Sequence, residues 1–173
     1  MRRSSTSKEV ALCGLMIAAA FIFSYVESMI PISLGVPGVK AGLANLVTIV
    51  SLFLLGAKRT AAITLIRVAL VGFTFGSLSM MMYGMAGAVF SFTVMVLLRK
   101  TDFLGIEGIS ISGGIAHNVG QLMVAAMVLE NGRIFYYLPV LLIAGAIAGL
   151  VIGVAGALMV VRLRPMIDKD RIS

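Results

Sequence analysis

Three ionisable side chains, Glu27, Arg67 and His117, stand inside or at the edge of long apolar runs of the sequence. An ionisable group within a bilayer costs roughly 2.5–3.5 kcal/mol on insertion scales, so such groups usually face the interior of a helix bundle or water. At a helical rise of about 1.5 Å per residue, Arg67 and His117 lie at similar depths on helices that run the same way. Asn118 and Gln121 belong to the same turns as His117. We therefore predict a polar layer in which Arg67, His117 and Asn118 hold or gate the bundle core.

A second group of polar residues falls near the other ends of the apolar segments. Glu27, Lys40 and Asn45 flank a loop, residues 31–39, that contains two prolines and two glycines. Because proline fixes φ and glycine permits tight turns, this loop is predicted to be an ordered lid. Together with Tyr83 and Gln121, the three flanking residues are predicted to bind a small molecule in a pocket beneath the lid.

Structural alternatives stay open for this second group. Glu27 and Asn45 could instead make hydrogen bonds that only hold the bundle together. Four residues around the last outer loop lie at comparable depth and could join the pocket, or could act as interfacial anchors and loop charges: Asn131, Arg133, Tyr136 and Tyr137.

The sequence lacks the residue sets of common catalytic sites. No Gly-x-x-x-x-Gly-Lys-Ser/Thr nucleotide-binding loop occurs, so any ATPase that serves this chain is a different polypeptide. Cys13 and His117 lie on different apolar segments, with no carboxylate placed to complete a nucleophilic triad. A single cysteine builds neither a disulfide framework nor a Cys/His zinc site. We therefore predict a non-enzyme with no catalytic residue, no metal site and no cofactor.

Composition identifies the elements that must position these residues as membrane helices. Of the 173 residues, 60% are hydrophobic and 12% charged, against roughly 45–50% and about 25% in soluble domains. This balance excludes a soluble globular domain, and the basic residues lie between apolar runs, so no nucleic-acid partner is expected. A single domain over residues 1–173 is predicted, with six transmembrane helices at about 9–30, 41–57, 60–77, 80–98, 109–129 and 135–161.

The distribution of basic residues predicts the orientation. Eleven of the fourteen lysines and arginines fall at the two termini and in the second and fourth connections, whereas Lys40 and Arg133 fall on the opposite side. Basic residues collect on the cytoplasmic side of a membrane. The sequence therefore predicts an all-α integral membrane protein with both termini inside, an uncleaved N-terminus and a location in the inner membrane of a prokaryote.

Two stripes of small residues recur at helical spacing. Gly145, Gly149 and Gly153 repeat every four residues in the last apolar segment, and Ala11, Gly14 and Ala18 form a similar stripe in the first. Small side chains let two helices approach closely in lipid. The last stripe is predicted to pack within the bundle, whereas internal packing and docking to another membrane subunit both stay open for the first.

Four stretches carry a resemblance to a known family: residues 37–48, 65–68, 110–122 and 136–141, including the His-Asn-Val-Gly-Gln sequence at 117–121. They resemble heptaprenyl diphosphate synthase component I, also called the Gx transporter family, and the resemblance covers residues 11 to about 163. That family is grouped with the substrate-binding S components of energy-coupling factor transporters, six-helix membrane proteins that carry vitamins or their precursors.

The resemblance implies a substrate-binding subunit for uptake of a small organic solute. By position, the lid is residues 31–39, and Ala11, Gly14 and Ala18 form the face that docks to a transmembrane coupling protein served by separate ATPase subunits. The individual substrate ligands do not transfer, because S components with different substrates share little sequence.

The synthase description implies a different class of function. Trans-prenyl synthases bind Mg²⁺-diphosphate through two aspartate-rich motifs, whereas this chain has closely spaced aspartates only at Asp168 and Asp170. The alternative is therefore a noncatalytic membrane component of heptaprenyl diphosphate or quinone metabolism, with a lipid tail in the bundle and its polar head at Arg67 or Lys40. A structural partner of a membrane redox complex is a third possibility.

Overall fold

The computed structural model describes residues 2–29 and 42–172, and the side chains of residues 7–29 and 42–167. All regular structure in these residues is helical, which confirms the predicted all-α class. The elements in chain order are α1 (Arg2–Met29), α2 (Leu43–Leu55), α3 (Ala57–Thr74), α4 (Leu78–Thr101), α5 (Ile106–Val128), a short 3₁₀ helix (Gly132–Tyr137) and α6 (Leu138–Ile172).

Four stretches are long and apolar enough to cross a membrane: Ser7–Met29, Leu78–Thr101, Ile106–Val128 and Gly132–Ile167. Such lengths of apolar helix characterise a multi-pass membrane protein. α2 is equally apolar but has only 13 residues, and α3 carries three basic residues. Six helices thus occupy the six predicted segments, whereas six membrane crossings and their orientation stay predictions.

The helices pack as a ring. α1 contacts α2, α2 contacts α6, and α6 contacts α5; α4 then joins α5 to α3, and α3 returns to α1. The ring order therefore differs from the chain order, because α2 lies between α1 and the last helix. Every helix contributes one face to the interior.

The first and last helices of the chain extend beyond their predicted bounds. α1 begins at Arg2 rather than near residue 9, and α6 continues to Ile172 rather than ending near 161. Apolar composition marks the part of a helix that suits a bilayer, and a helix continues into polar sequence where its backbone hydrogen bonds continue. Pro165 lies within α6 near its end.

Short connections join α2 to α3 and α3 to α4. Gly56 joins α2 to α3 by itself, with φ of 83°, a conformation that favours glycine. The predicted segments ended at 57 and began again at 60, so they left residues 58–59 as the connection, whereas these residues lie in the first turn of α3. Ser77 caps α4, where its hydroxyl accepts a hydrogen bond from the Met80 N–H at 3.2 Å. The connection between α3 and α4 is residues 75–77, close to the predicted boundary between the segments 60–77 and 80–98.

One half of the bundle, which we call the packed half, is close-packed and apolar. Ile49 and Leu52 of α2, Ile63 of α3, Met95 of α4 and Ile109 of α5 are almost completely buried against one another. At the rim of this half, the Arg99 guanidinium donates to the Leu52 carbonyl, which lies in the last turn of α2. An Arg59–Glu9 ion pair of 2.6 Å links α3 to α1.

The two small-residue stripes occupy different surroundings. A Cβ added at Gly149 would lie 2.6 Å from the Ile111 Cα and 2.7 Å from the Ser110 carbonyl oxygen, and one at Gly153 would lie 2.7 Å from the Glu107 Cα. The prediction that the α6 stripe packs within the bundle is thereby confirmed, since α5 and α6 approach backbone to backbone.

On α1, by contrast, Ala11, Gly14 and Ala18 are exposed. A Cβ added at Gly14 would meet no atom of the described structure within 4 Å. The packing of the described helices therefore leaves this face uncovered, and its use for docking stays a prediction.

Candidate functional site

A cavity of about 140 Å³ lies within the other half of the bundle, which we call the hollow half. All six helices line it: the end of α1, the start of α2 and the second half of α3 meet α4 between residues 80 and 95, α5 between 110 and 121, and α6 between 144 and 152. Met95 belongs both to this wall and to the packed half. Its wall combines apolar side chains with a few polar groups, the usual composition of a small-molecule site. The polar residues predicted from the sequence that line it are Glu27, Asn45, Arg67, Tyr83, His117, Asn118 and Gln121.

The structure merges two groups that the sequence separated. Glu27, Asn45 and Tyr83 were placed in an outer pocket, and Arg67 and His117 in a deeper polar layer, yet all five face the same cavity. The helices are rotated so that both groups point to one interior space. Lys40 and the predicted lid, residues 31–39, lie outside the described residues.

Glu27 is buried, with 8% of its surface exposed, close to the end of α1. Its Oε1 accepts a hydrogen bond from the Gly42 N–H at the start of α2. Gly42 has φ of 77°, in the left-handed region that favours glycine. The carboxylate thus joins the two helix ends on either side of residues 30–41, and it also lines the cavity.

Arg67 is the buried cation of the site, with 9% of its surface exposed. Its Nε atom has no hydrogen-bond partner in the described part of the chain, and within that part its guanidinium forms no ion pair shorter than 4 Å. The negative charge of Glu27 attracts it from a longer distance. Burial without a close anion is costly for a guanidinium, since its hydration is lost and incompletely replaced.

Asn118 has a structural contact as well as a place in the cavity wall. Its Nδ2 donates to the Leu141 carbonyl at 2.8 Å and so ties α5 to α6. The amide is buried. A buried hydrogen bond of this kind fixes how α5 is rotated against α6, which in turn sets the direction of the cavity-lining face of α5.

Gly87 of α4, which the sequence analysis missed, does not line the cavity but packs behind two residues that do. A Cβ at this position would lie 2.8 Å from His117 Cε1 and 2.9 Å from Gln121 Cγ. The glycine therefore makes room for two polar side chains of α5 beside the cavity. A possible sequence signal was the spacing of Gly84 and Gly87, one helical turn apart, but it does not tell which helix faces them.

Further cavity-lining residues carry no sequence signal that separates them from packing residues. Ser24, Ser91 and Ser110 are buried hydroxyls in the cavity wall, and Met80 and Met81 lie at the start of α4. Ser24 also donates to the Ala20 carbonyl at 2.9 Å. Hydroxyls of this kind commonly bond to their own helix, so their types alone predict no ligand contact.

The residues around the last connection lie elsewhere. Asn131 caps the 3₁₀ helix, where its Oδ1 accepts from the Arg133 N–H at 3.0 Å, and Tyr136 is 85% exposed. Neither these residues nor Tyr137 line the cavity. Tyr136 and Arg133 instead border a separate shallow surface depression.

A metal-binding cluster is absent from the described residues, where no three His, Cys, Asp or Glu side chains lie close enough to hold an ion. The titratable groups of the cavity wall that are described are Glu27, Arg67, His117 and Tyr83. Glu27 and Arg67 supply one negative and one positive formal charge, and hydrogen-bonding side chains lie around them.

Comparison with known protein families gives a match. Residues 16–159 match the family described as heptaprenyl diphosphate synthase component I, a stretch that begins within α1 and ends within α6 and includes every cavity residue described above. No curated protein sequence and no solved structure gives a significant match to the chain.

Proposed function

The chain belongs to the heptaprenyl diphosphate synthase component I family, and within that family we propose that it is a membrane-embedded subunit that captures a small organic solute for uptake. The observation that carries this proposal is the cavity lined by all six helices. A protein that only bridged other subunits would have no need for a hollow interior lined by charged and amide side chains. Burying such groups is unfavourable unless something pairs with them.

The size of the cavity supports a compact solute. A cavity of about 150 Å³ in a protein interior accepts benzene, and the cavity here measures about 140 Å³. A solute with a ring or a short branched chain, such as a vitamin precursor, fits this volume. Asn45, Tyr83 and Gln121 supply hydrogen-bonding groups that could fix its orientation, and Glu27 and Lys40 are the charged members of the proposed binding set.

The uptake step requires partners. The exposed stripe Ala11, Gly14 and Ala18 is the proposed contact with a transmembrane coupling protein, whose ATPase subunits are separate chains. Arg67, His117 and Asn118 would hold the bundle core while the solute is bound. In this proposal the protein sits in a prokaryotic inner membrane with six crossings and both termini inside, and it has no catalytic activity.

A second candidate follows from the family description itself, which names one component of a heptaprenyl diphosphate synthase. In that case the chain would be a noncatalytic membrane subunit that holds an isoprenoid, with the polar head near Arg67 or Lys40. A chain of seven isoprene units exceeds the cavity volume several-fold, so its tail would have to leave between helices into the lipid.

The test is the identity of the small molecule that the full chain retains. The protein is purified in a mild detergent, and mass spectrometry of the extract identifies what copurifies. A polar solute that raises the melting temperature when added back supports solute capture, whereas a prenyl diphosphate or quinone supports the second candidate. If neither class is retained or stabilises the protein, the solute-capture proposal is rejected. A structural role in a membrane redox complex is then favoured.

Variants locate the binding site in the same assay. Glu27→Ala combined with Asn45→Ala is expected to lower the affinity for the retained solute. Tyr136→Ala is the control, because Tyr136 is exposed and does not line the cavity. Unchanged affinity in the double variant would remove both residues from the proposed binding set.

A further inference from the structure

We propose that Arg67 receives the carboxylate of a compact organic acid with a single negative charge, whose apolar body fills the rest of the cavity. This inference rests on the proposed solute-binding function and names the chemical class of the solute. It also changes the role of Arg67, from a residue that holds the bundle core to one that contacts the ligand.

The first step of the argument is the state of the guanidinium. Arg67 is about nine-tenths buried, lines the cavity, and has an Nε–H without an acceptor in the described residues. Arginine presents several N–H donors in a rigid planar fork that matches both oxygens of a carboxylate. An anion in the cavity would therefore supply the hydrogen bonds and the close negative charge that the described side chains leave unmade.

The second step is the charge count. Among the described residues of the wall, the charges of one arginine and one glutamate balance each other before a ligand enters. Glu27 is fixed near the Gly42 N–H and cannot leave the wall without breaking that hydrogen bond. A singly charged acid pairs with Arg67 and brings the least repulsion from Glu27. A diphosphate carries two or three negative charges, which is more than Arg67 alone balances, so it would also need Lys40 of the proposed binding set.

The third step is the surroundings of the guanidinium. Val68 and Val71, on the same helix as Arg67, line the cavity together with Phe75, Met81 and Ile152. These side chains form the apolar part of the cavity wall that Arg67 shares. Methionine side chains are flexible and adapt to the shape of a ligand. The arrangement of one cation beside an apolar wall matches an acid whose carboxylate is attached to a ring or a short branched chain.

The experiment compares ligands that differ only in charge. Full-length protein in lipid nanodiscs is titrated with benzoate, benzamide and benzylamine, and with isovalerate and isovaleramide, while the shift in melting temperature and the binding heat are measured. Inorganic pyrophosphate is added as a competitor. The variants are Arg67→Gln and Arg67→Lys, with Arg59→Gln as control, because Arg59 lies on the same helix but pairs with Glu9 outside the cavity.

We expect each acid to bind at least tenfold more tightly than its amide and than benzylamine, with no competition from pyrophosphate. Arg67→Gln should abolish that preference, Arg67→Lys should retain it in part, and Arg59→Gln should leave it unchanged. If Arg67→Gln does not fold, the ranking of acid over amide in the wild-type protein still decides.

Three outcomes would overturn the proposal. Equal or tighter binding of the amide or the amine rejects the carboxylate class but leaves solute capture standing. Arg67-dependent binding of pyrophosphate rejects the singly charged ligand and favours the prenyl diphosphate candidate. Absence of binding by every probe, together with the absence of any copurified solute, rejects both this inference and the proposed function.

Discussion

The packed half and the hollow half of the bundle are built from the same helices, yet one is filled and the other is not. In the packed half, branched side chains such as Ile49, Leu52 and Ile63 interdigitate at the level where α2 meets α3. In the hollow half, glycines and short polar residues such as Gly84 and Ser24 line the interior instead. The cavity therefore arises from side-chain size along each helix, and not from a missing or displaced helix.

This difference separates stability from binding within one bundle. Close packing of apolar side chains contributes dispersion contacts that are lost outright when a void is opened. Burying Arg67 and Glu27 carries a desolvation cost that offsets part of what their interactions contribute to stability. We expect substitutions in the packed half to change the free energy of unfolding and those in the hollow half to change ligand affinity.

The largest effect on stability is expected for Leu52→Ala in the packed half. Leu52 is completely buried, and such truncations cost about 2–5 kcal/mol because they remove contacts and leave a cavity. Denaturant titration of the purified protein in micelles measures this loss, and ligand affinity should be unchanged. Leu150→Ala is the matched control, since Leu150 is about half exposed on α6 and should change stability by less than about 0.5 kcal/mol. Equal losses in both variants would contradict the distinction between packed and exposed positions.

Gly149→Ala tests the close contact between α6 and α5. The added Cβ would lie 2.6–2.7 Å from backbone atoms of residues 110 and 111, which cannot move without shifting α5. We expect a loss of about 1–3 kcal/mol, typical of overpacking, measured by thermal unfolding.

Gly14→Ala is the control for this substitution, because a Cβ there meets nothing within 4 Å of the described chain. Its stability should be unchanged or raised by up to about 1 kcal/mol through higher helix propensity. A comparable loss at Gly14 would show that the α1 stripe is already covered by part of this chain.

Gly87→Ala tests whether a change beside the cavity alters ligand affinity more than stability. The new methyl group would meet the side chains of His117 and Gln121, and these can move into the cavity. The cost should be about 1 kcal/mol, the low end of the range for overpacking. Ligand affinity should fall at least tenfold, since the displaced ring occupies ligand space. Calorimetric titration measures the affinity, and a large loss of stability with normal affinity would contradict the assignment of the cavity as the binding space.

The smallest effect is expected for Arg59→Gln at the rim of the packed half. Its ion pair with Glu9 is about one-third exposed on both sides, and such pairs contribute between 0 and about 1 kcal/mol. Thermal unfolding at low and high salt should show a loss of at most about 0.5 kcal/mol that shrinks as salt rises. A larger, salt-independent loss would mean that this pair belongs to the structural core.

Hydropathy and charge made much of the fold predictable. A helix occurs at each of the six apolar segments. The ends of α1 and α6 were misplaced, because hydropathy falls where the apolar region stops and the helix does not. The turn at Gly56 was displaced by a few residues, because the first turn of α3 contains the polar Lys58 and Arg59.

Polar residues that line the cavity were predictable from the sequence, whereas their grouping around a single cavity was not. Glu27, Arg67 and His117 were identified because ionisable residues are rare in apolar segments, and all three face the cavity. Their depth along the sequence separated them into two groups, since the rotation and tilt of each helix cannot be read from spacing alone. Gly87 was missed because its importance depends on His117 and Gln121 of the neighbouring helix.

The ring order of the helices has a consequence for how the protein is made. Synthesis proceeds from the N-terminus, so α1 to α5 emerge before α6, which lies between α2 and α5 in the finished ring. Until α6 enters, the inward faces of α2 and α5, including the buried Ser110 and Asn118, have no partner from the last helix. We expect a nascent chain arrested before residue 138 to be recognised by membrane proteases, whereas the completed chain escapes them.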